Sequence, residues 1–449
     1  MLGHMRHMRT ALIGSLMIGG TLALASAVGA QTAPAATAPT FSKDVAPIFQ
    51  EKCEACHRPD SIAPMSLVTF AESRPWARAI KARVADHTMP PWSIDKTVGV
   101  QSFKNDRSLS DKEIETIVKW VDAGAPQGNA SDMPAAKTWP EDQGWNFAPL
   151  FGQKEPDLIV NSYDFTMPAQ SQDAWDKRVT PSGITEPRWV RAVEIRPKTL
   201  KGRKIVHHAI AYLDQVEPDA PPAGGLLAPF MEWAVGKQGE LMRADTGKLL
   251  LPGSKFRWDI HYSQAGEEIT NSVEMGIYFY PKGQEPKFRT SLSLVPAALG
   301  TMDIRPNTLS LVEGFTVLRE NARIESYQPH MHLRGKAMMV EAISPTGQKQ
   351  VISLVSDFNF NWMTTYVYAD EAAPLLPKGT LLKVTAWHAN TAAKKSNPDP
   401  NQWVGWGDRT VDEMAHAWIN VVYMKDEDFK AEQAKRRAGP TSSPAVPQQ

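Results

Sequence analysis

The sequence predicts a multi-domain protein in which a small all-α domain is followed by an all-β region of two β-sandwiches. Three observations carry this expectation. A capped amphipathic segment runs from Asp111 to about Ala123, the apolar spacing changes to a two-residue period after Asp157, and the later runs are short, β-type and without long intervening helices. Of 449 residues, 22% are charged and 42% apolar, a globular balance with length for several domains. The 49 Lys and Arg cancel the 49 Asp and Glu, so no net field would hold the chain on nucleic acid or an anionic membrane, and function has to reside in local sites.

Residues 1–30 read as an export signal, with Arg6 and Arg9 before an apolar stretch from Ala11 to Leu24 and small residues at Val28-Gly29-Ala30. Interrupted by Gly14, Gly19 and Gly20, that stretch is shorter than the roughly 20 residues that span a bilayer. The mature chain is therefore expected in a bacterial periplasm, without a membrane span. Residues 31–40 form a Pro/Ala/Thr linker, and folding is expected to begin near Phe41.

Within the helical module, residues 41–128, Ser110 and Glu113 make a capping box and Leu109 and Ile114 a hydrophobic staple. Ile114, Ile117, Val118 and Val121 share one face, and Gly124 with Pro126 stops the helix. Residues 129–156, rich in Pro, Trp and acidic residues, read as a linker. In the β region, Phe256, Trp258, Ile260 and Tyr262 alternate with Arg257, Asp259 and His261. Similar runs cover 204–213, 272–280, 337–343, 351–354 and 379–388, bounded by turn residues. The two sandwiches are expected over 157–300 and 301–428, followed by a tail, 429–449, with a helical start and a disordered end.

The two cysteines stand together in Cys53-Glu54-Ala55-Cys56-His57. The C-x-x-C-H spacing lets two thiols add to the haem vinyl groups while the next His binds iron, so one covalent haem c is expected. A disulfide, a redox dithiol and half of a zinc site are the competing readings; the zinc site lacks a second Cys/His pair nearby. Met89, in Thr88-Met89-Pro90-Pro91-Trp92, is the leading candidate for the sixth ligand because Pro stiffens the loop, with Met65 and His87 as rivals. The segment from Phe41 to about Gly128, with its CHRP, PWARAI, MPPW and LSDKEIETIVKWVDAG stretches, resembles the small c-type cytochromes, which further favours Met89.

Seven histidines fall in the β region, as His207-His208, His261, His330-Met331-His332, His388 and His416. Imidazole with thioether suits copper, and His330 and His332, two apart, lie on one face of an extended strand. The stretches Lys204-Ile205-Val206-His207-His208-Ala209, Asp259-Ile260-His261-Tyr262, His330-Met331-His332-Leu333 and Asp412-Glu413-Met414 follow the order and approximate spacing of the copper type II, ascorbate-dependent monooxygenases. Residues 157–425 resemble that family, which includes peptidylglycine α-hydroxylating and dopamine β-monooxygenases. The resemblance implies two jelly-roll sandwiches and two copper ions. His207, His208 and His261 would hold an electron-donating copper, and His330, His332 and Met414 the copper that meets dioxygen. His388 and His416 have no ligand role by that resemblance; they are expected beside the ligands or facing substrate, with simple packing as the other reading.

Departures bear on substrate. Where the peptide-amidating members anchor a peptide carboxylate with Arg, Asn and Tyr, this chain has Gln328, His416 and Trp418, so a glycine-extended peptide would lack its counter-charge. With both cysteines consumed by haem, no disulfide would be left for the sandwiches. The expected activity is hydroxylation of a C–H bond of a small molecule with O2, with electrons passing from a periplasmic donor through haem. The alternative is a non-hydroxylating electron-transfer or copper-binding protein, because ligands and fold do not prove turnover.

Overall fold

The structure, a computed structural model, describes residues 38–59, 61, 63–138, 144–217, 228–298 and 300–438. The expected export signal, nearly all of the 31–40 linker and the Pro/Ser-rich end of the tail lie outside the described residues. What is described is mostly β-sheet, with helices concentrated near its start. No helix among the described residues is long and apolar enough to cross a membrane.

The longer helices of the first module are α1 (Ala46–Lys52), α2 (Ala77–Ala85) and α3 (Asp111–Asp122). α3 begins on the capping box read from the sequence: Ser110 Oγ accepts from the Glu113 N–H, and Glu113 reaches back to the Ser110 N–H. Its buried face, Ile117 and Trp120, meets Phe41, Phe49 and Ile80 in a core of its own. The Trp120 indole N–H donates to the Pro126 carbonyl at 3.0 Å, which satisfies the one polar atom that this ring buries.

The β region is layered. The first part comprises β1 (Leu158–Asn161), β2 (Arg188–Pro197), β3 (Val206–Asp214), β4 (Ala228–Ala234), β5 (Thr246–Leu250), β6 (Lys255–Tyr262) and β7 (Val273–Phe279). One sheet runs β1-β7-β2-β5 and the other pairs β6-β3-β4, and the alternating Phe256, Trp258, Ile260 and Tyr262 of β6 fill the core between them. The second part comprises β8 (Phe288–Ala298), β9 (Thr308–Val317), β10 (Asn321–Met331), β11 (Gly335–Ile343), β12 (Lys349–Val355), β13 (Leu381–Asn390) and β14 (Ala415–Met424). Here β8-β14-β10 faces β9-β13-β11-β12 across a core that includes Tyr327, Met338 and Val384.

The two halves are not separate sheets. β5 and β8 pair in parallel, Phe288 opposite Thr246, which joins β1-β7-β2-β5 and β8-β14-β10 into one continuous sheet. β8, placed with the first sandwich by a boundary at 300, pairs along its length with β14 of the second. The tail begins as the helix Asp426–Arg437, with Phe429 buried.

Two segments, one from the expected 129–156 linker and one from within the expected 41–128 module, are docked on the β region. In the supposed linker, Trp145, Phe147 and Ala148 are buried against Ala192 and Tyr278, and the buried Glu194 carboxylate accepts from the Asn146 and Phe147 N–H groups and the Tyr278 hydroxyl. The chain from Trp92 to Asn105 leaves the helical module and lies against the second sandwich. The Asp95 and Val100 N–H groups donate to the Leu354 and Ile352 carbonyls of β12, and the Lys104 N–H to the Val367 carbonyl. Trp92 and Phe103 pack on Tyr366, with Phe103 also stacked on Tyr368. Gly99 is required there: its φ is 75°, and a Cβ would come within 2.5 Å of the Ile352 carbonyl oxygen.

Trp92→Ala is expected to cost about 3–5 kcal/mol through the cavity it leaves, and to expose residues 92–105 to protease. Urea unfolding and limited proteolysis of the variant measure both.

Candidate metal centre

β3 and β6 are antiparallel partners with His208 directly opposite His261. Successive residues of a regular strand face opposite ways, so His207 and His208 cannot both face one site without a break in the repeat. The break is present. Tyr262 pairs with Val206 rather than with His207, which makes His207 the extra residue of a β-bulge and turns its ring to the side of its neighbour. The ligand atoms of His207, His208 and His261 lie within 4.8 Å of one another, and the Nδ1 atoms of the adjacent pair are 3.3 Å apart. Trp175, opposite His261 on the neighbouring strand, stacks on its ring at 4.7 Å and 3°.

His330, one residue before the end of β10, is opposite His416 of β14, with their rings stacked at 4.4 Å, and His332 follows one step beyond the strand. The paired register ends at Met331 and Ala415, so His332 and Met414 are each the next residue past the same strand ends. The stretch Asp412-Glu413-Met414 acts as a bracket. The Asp412 carbonyl lies 3.1 Å from His332 Nδ1, which directs Nε2 into the cluster, and the wholly buried Glu413 carboxylate accepts from the His332 and Arg334 backbone N–H groups. Burial pushes the Glu413 carboxyl up to about 7 against these donors and the Arg334 charge. Arg334, also buried, is held by Asn390 and the Val411 carbonyl.

Burial, then the neighbouring imidazoles, holds His207 down at about 4 and His208 and His330 well below the ordinary range. Burial likewise holds His332 at about 4 although the Asp412 carbonyl favours its charge. At neutral pH these rings are uncharged and their lone pairs free for a metal. Both ring nitrogens of His261, and Nδ1 of His330, are buried without a hydrogen-bond partner. A buried polar atom without a partner is costly unless something absent from the protein atoms satisfies it, and neutral imidazole donors fit copper.

Four contributors were not legible as such in the sequence. Asp173 Oδ2 lies 3.2 Å from His261 Nε2, off the axis of a formed hydrogen bond, and this approach together with the Thr410 hydroxyl holds the Asp173 carboxyl down at about 2. Glu413 was in view only as part of a motif. Phe360, from the loop after β12, stacks on His207 at 4.5 Å and meets His332 at 6.0 Å. His416 proves to be the stacking partner of His330, wholly desolvated, with Nε2 unpartnered. His388 lies behind the bracket, its Nε2 3.3 Å from the Met414 carbonyl. Gln328 and Trp418, read as substrate-facing, are opposite each other in register and buried.

In the helical module Cys53 and Cys56 are both free and half-buried, so no disulfide joins them. Burial, then the Glu54 charge, pushes the Cys53 thiol up to about 12, and burial raises Cys56; a redox dithiol needs the opposite shift. His57 Nδ1 lies 3.2 Å from the Met65 carbonyl, which leaves its Nε2 free of that contact. Met65 thus orients the His57 ring through its backbone, His87 is exposed, and Met89 is half-buried three residues before the docked Trp92. A cavity of about 400 Å³ lies alongside, lined by Lys52, Trp92, Ile94, Phe103, Leu109 and Glu113 among others, though not by Cys53, Cys56, His57 or Met89.

No family model matches the sequence, and no curated protein matches it. Among solved structures the chain is similar to the major capsid protein P2 from bacteriophage PM2, with 8% identity over 59% of this chain and 99% of that one at a TM-score of 0.21. It is also similar to the infectious bursal disease virus VP2 subviral particle, with 11% identity over 62% and 77% at a TM-score of 0.17. At these scores neither likeness bears on function.

Two outcomes are expected. Copper uptake stays level from neutral pH to about 5 and is lost near pH 4 as His207 and His332 take protons, measurable by equilibrium dialysis at successive pH. Glu413→Ala leaves the His332 and Arg334 N–H groups buried without an acceptor, at about 1–3 kcal/mol each, and lowers both the urea midpoint and copper retention.

Proposed function

We propose that this chain is an exported, haem- and copper-containing monooxygenase-like oxidoreductase that hydroxylates a C–H bond of a small molecule with O2, with electrons entering through the haem-binding module from a periplasmic donor. The observation that carries this reading is the convergence of His207, His208 and His261 with His330 and His332, on facing sheets, where ring nitrogens of His261 and His330 are buried without a partner. The small helical module is read as a c-type cytochrome domain and the two sandwiches as jelly rolls.

Cys53, Cys56, His57 and Met89 would hold the haem. His207, His208 and His261 would hold one copper, and His330, His332 and Met414 the other. When bound, haem passes electrons singly and copper couples them to dioxygen, one oxygen atom going to product and one to water.

The chain's own residues set up the site. Asp173 and Trp175 fix the ring of His261 from its edge and its face. The Asp412 carbonyl fixes His332, and Glu413 ties the backbone at His332 and Arg334 to the strand that bears Met414. Phe360 stacks on His207 and meets the ring of His332 edge to face. Gln328, whose Oε1 accepts from Thr365, replaces a cation in the substrate region, which favours a substrate without a carboxylate there.

The docking of residues 92–105 on the second sandwich supports haem as the reductant's point of attachment, because it ties the Met89 loop to the sheet layers that carry His330 and Met414. The alternative, a carrier that relays charge without hydroxylation, uses the same ligands and differs only in product.

One iron and two coppers per chain are expected by elemental analysis. Incubation with labelled O2, reductant and a metabolite library is expected to give a product carrying one labelled oxygen atom, and His330→Ala/His332→Ala to abolish it while the haem absorbance persists. Hydroxylation by that double variant at the wild-type rate refutes the assignment, and reversible metal reduction without any product identifies the carrier.

A further inference from the structure

We infer that the two predicted copper sites form one coupled centre rather than two sites separated by solvent, an inference that rests on the copper reading above. The His208 ring, from the first set, and the His330 ring, from the second, meet edge to face at 5.9 Å between centroids and 88°. Aromatic rings at that separation are in direct contact, so no water layer fits between them. The second set is itself close-knit, with His330 and His332 at 5.5 Å, while His208 and His261 of the first are 4.9 Å apart. Phe360 touches one member of each set, His207 and His332, and so bridges them.

The contact is built rather than incidental, because independent links cross the same junction. The Thr410 hydroxyl donates to Asp173, the residue beside His261. Lys177 pairs with Asp408 at 3.4 Å. Beyond the histidines, Ile210 of β3 packs with Leu292 and Trp418 of the second sandwich, all three buried, and Trp362 lies 3.2 Å from where a Cβ on Gly236 would stand. Polar clasps on one side and an apolar patch on the other hold the two sheet faces together with the imidazoles between them.

Ions held by ligands in van der Waals contact interact magnetically, and ions across a solvent cleft do so far more weakly. The test is electron paramagnetic resonance of the full-length protein loaded with haem and Cu(II), with bound copper counted by elemental analysis; the low-spin ferric haem signal is separated by its g values. The expected result is two coppers per chain with clearly fewer than two isolated copper spins and a half-field transition. Two full, uncoupled copper spins overturn the coupled centre and leave the copper reading standing; a single copper per chain with one isolated spin overturns both the coupled centre and the two-copper reading. Failure to bind copper at all removes the underlying reading instead.

Discussion

The face of β3 and β6 that carries His208 and His261 packs against the face of β10 and β14 that carries His330 and His416, and this contact strips water from polar rings that do not fully satisfy one another. Desolvation of that kind opposes folding unless each lone pair finds a donor or a metal. Several ring nitrogens in the junction find neither among the protein atoms. The price in stability is met by the surrounding apolar cores, which are extensive on both sides of the junction. In His207, His208, His330 and His332 the arrangement secures pre-positioned lone pairs that need shed no proton to take up a metal at neutral pH.

Positioning depends on a second layer of residues that carry the histidines without being ligands. Glu413 and Arg334 form the most buried part of it: the carboxylate takes two backbone N–H groups, and the guanidinium is held by Asn390 and by the Val411 and Asp399 carbonyls. A guanidinium at such depth is tolerated only because its hydrogen-bonding capacity is used, while burial pushes the neighbouring Glu413 carboxyl up to about 7. A similar logic holds behind β4, where Lys237 reaches Glu232 and Glu240 at 3.3 and 3.0 Å and Lys248 reaches Glu240 at 2.6 Å, all with side chains nearly inaccessible. In both places buried charge stiffens a segment that leads to the metal-binding face.

The helical module is coupled to this body through an irregular segment rather than a helix. Residues 92–105 borrow hydrogen bonds from β12 and from Val367, and the aromatic contacts of Trp92 and Phe103 add apolar area where those bonds leave gaps. The segment begins three residues after Met89, so the loop bearing the predicted haem ligand is anchored at one end by the second sandwich. Movement of that sandwich is thereby linked to the module that carries Cys53, Cys56 and His57.

Much of this organisation could be read along the chain. Capping residues at Ser110 and Glu113, the alternation from Phe256 to Tyr262, and the clustering of histidines in HH and HxH all follow from local spacing, because helix and strand repeats are properties of neighbouring residues. The bulge that turns His207 to the side of His208 was hidden, since it depends on which residue of β6 each residue of β3 pairs with. The docking of 92–105, the joining of the sheets through β5 and β8, and the meeting of His208 with His330 were hidden for the same reason. Each is a contact between segments far apart in sequence, selected by the fit of whole sheet faces, and no local pattern encodes it.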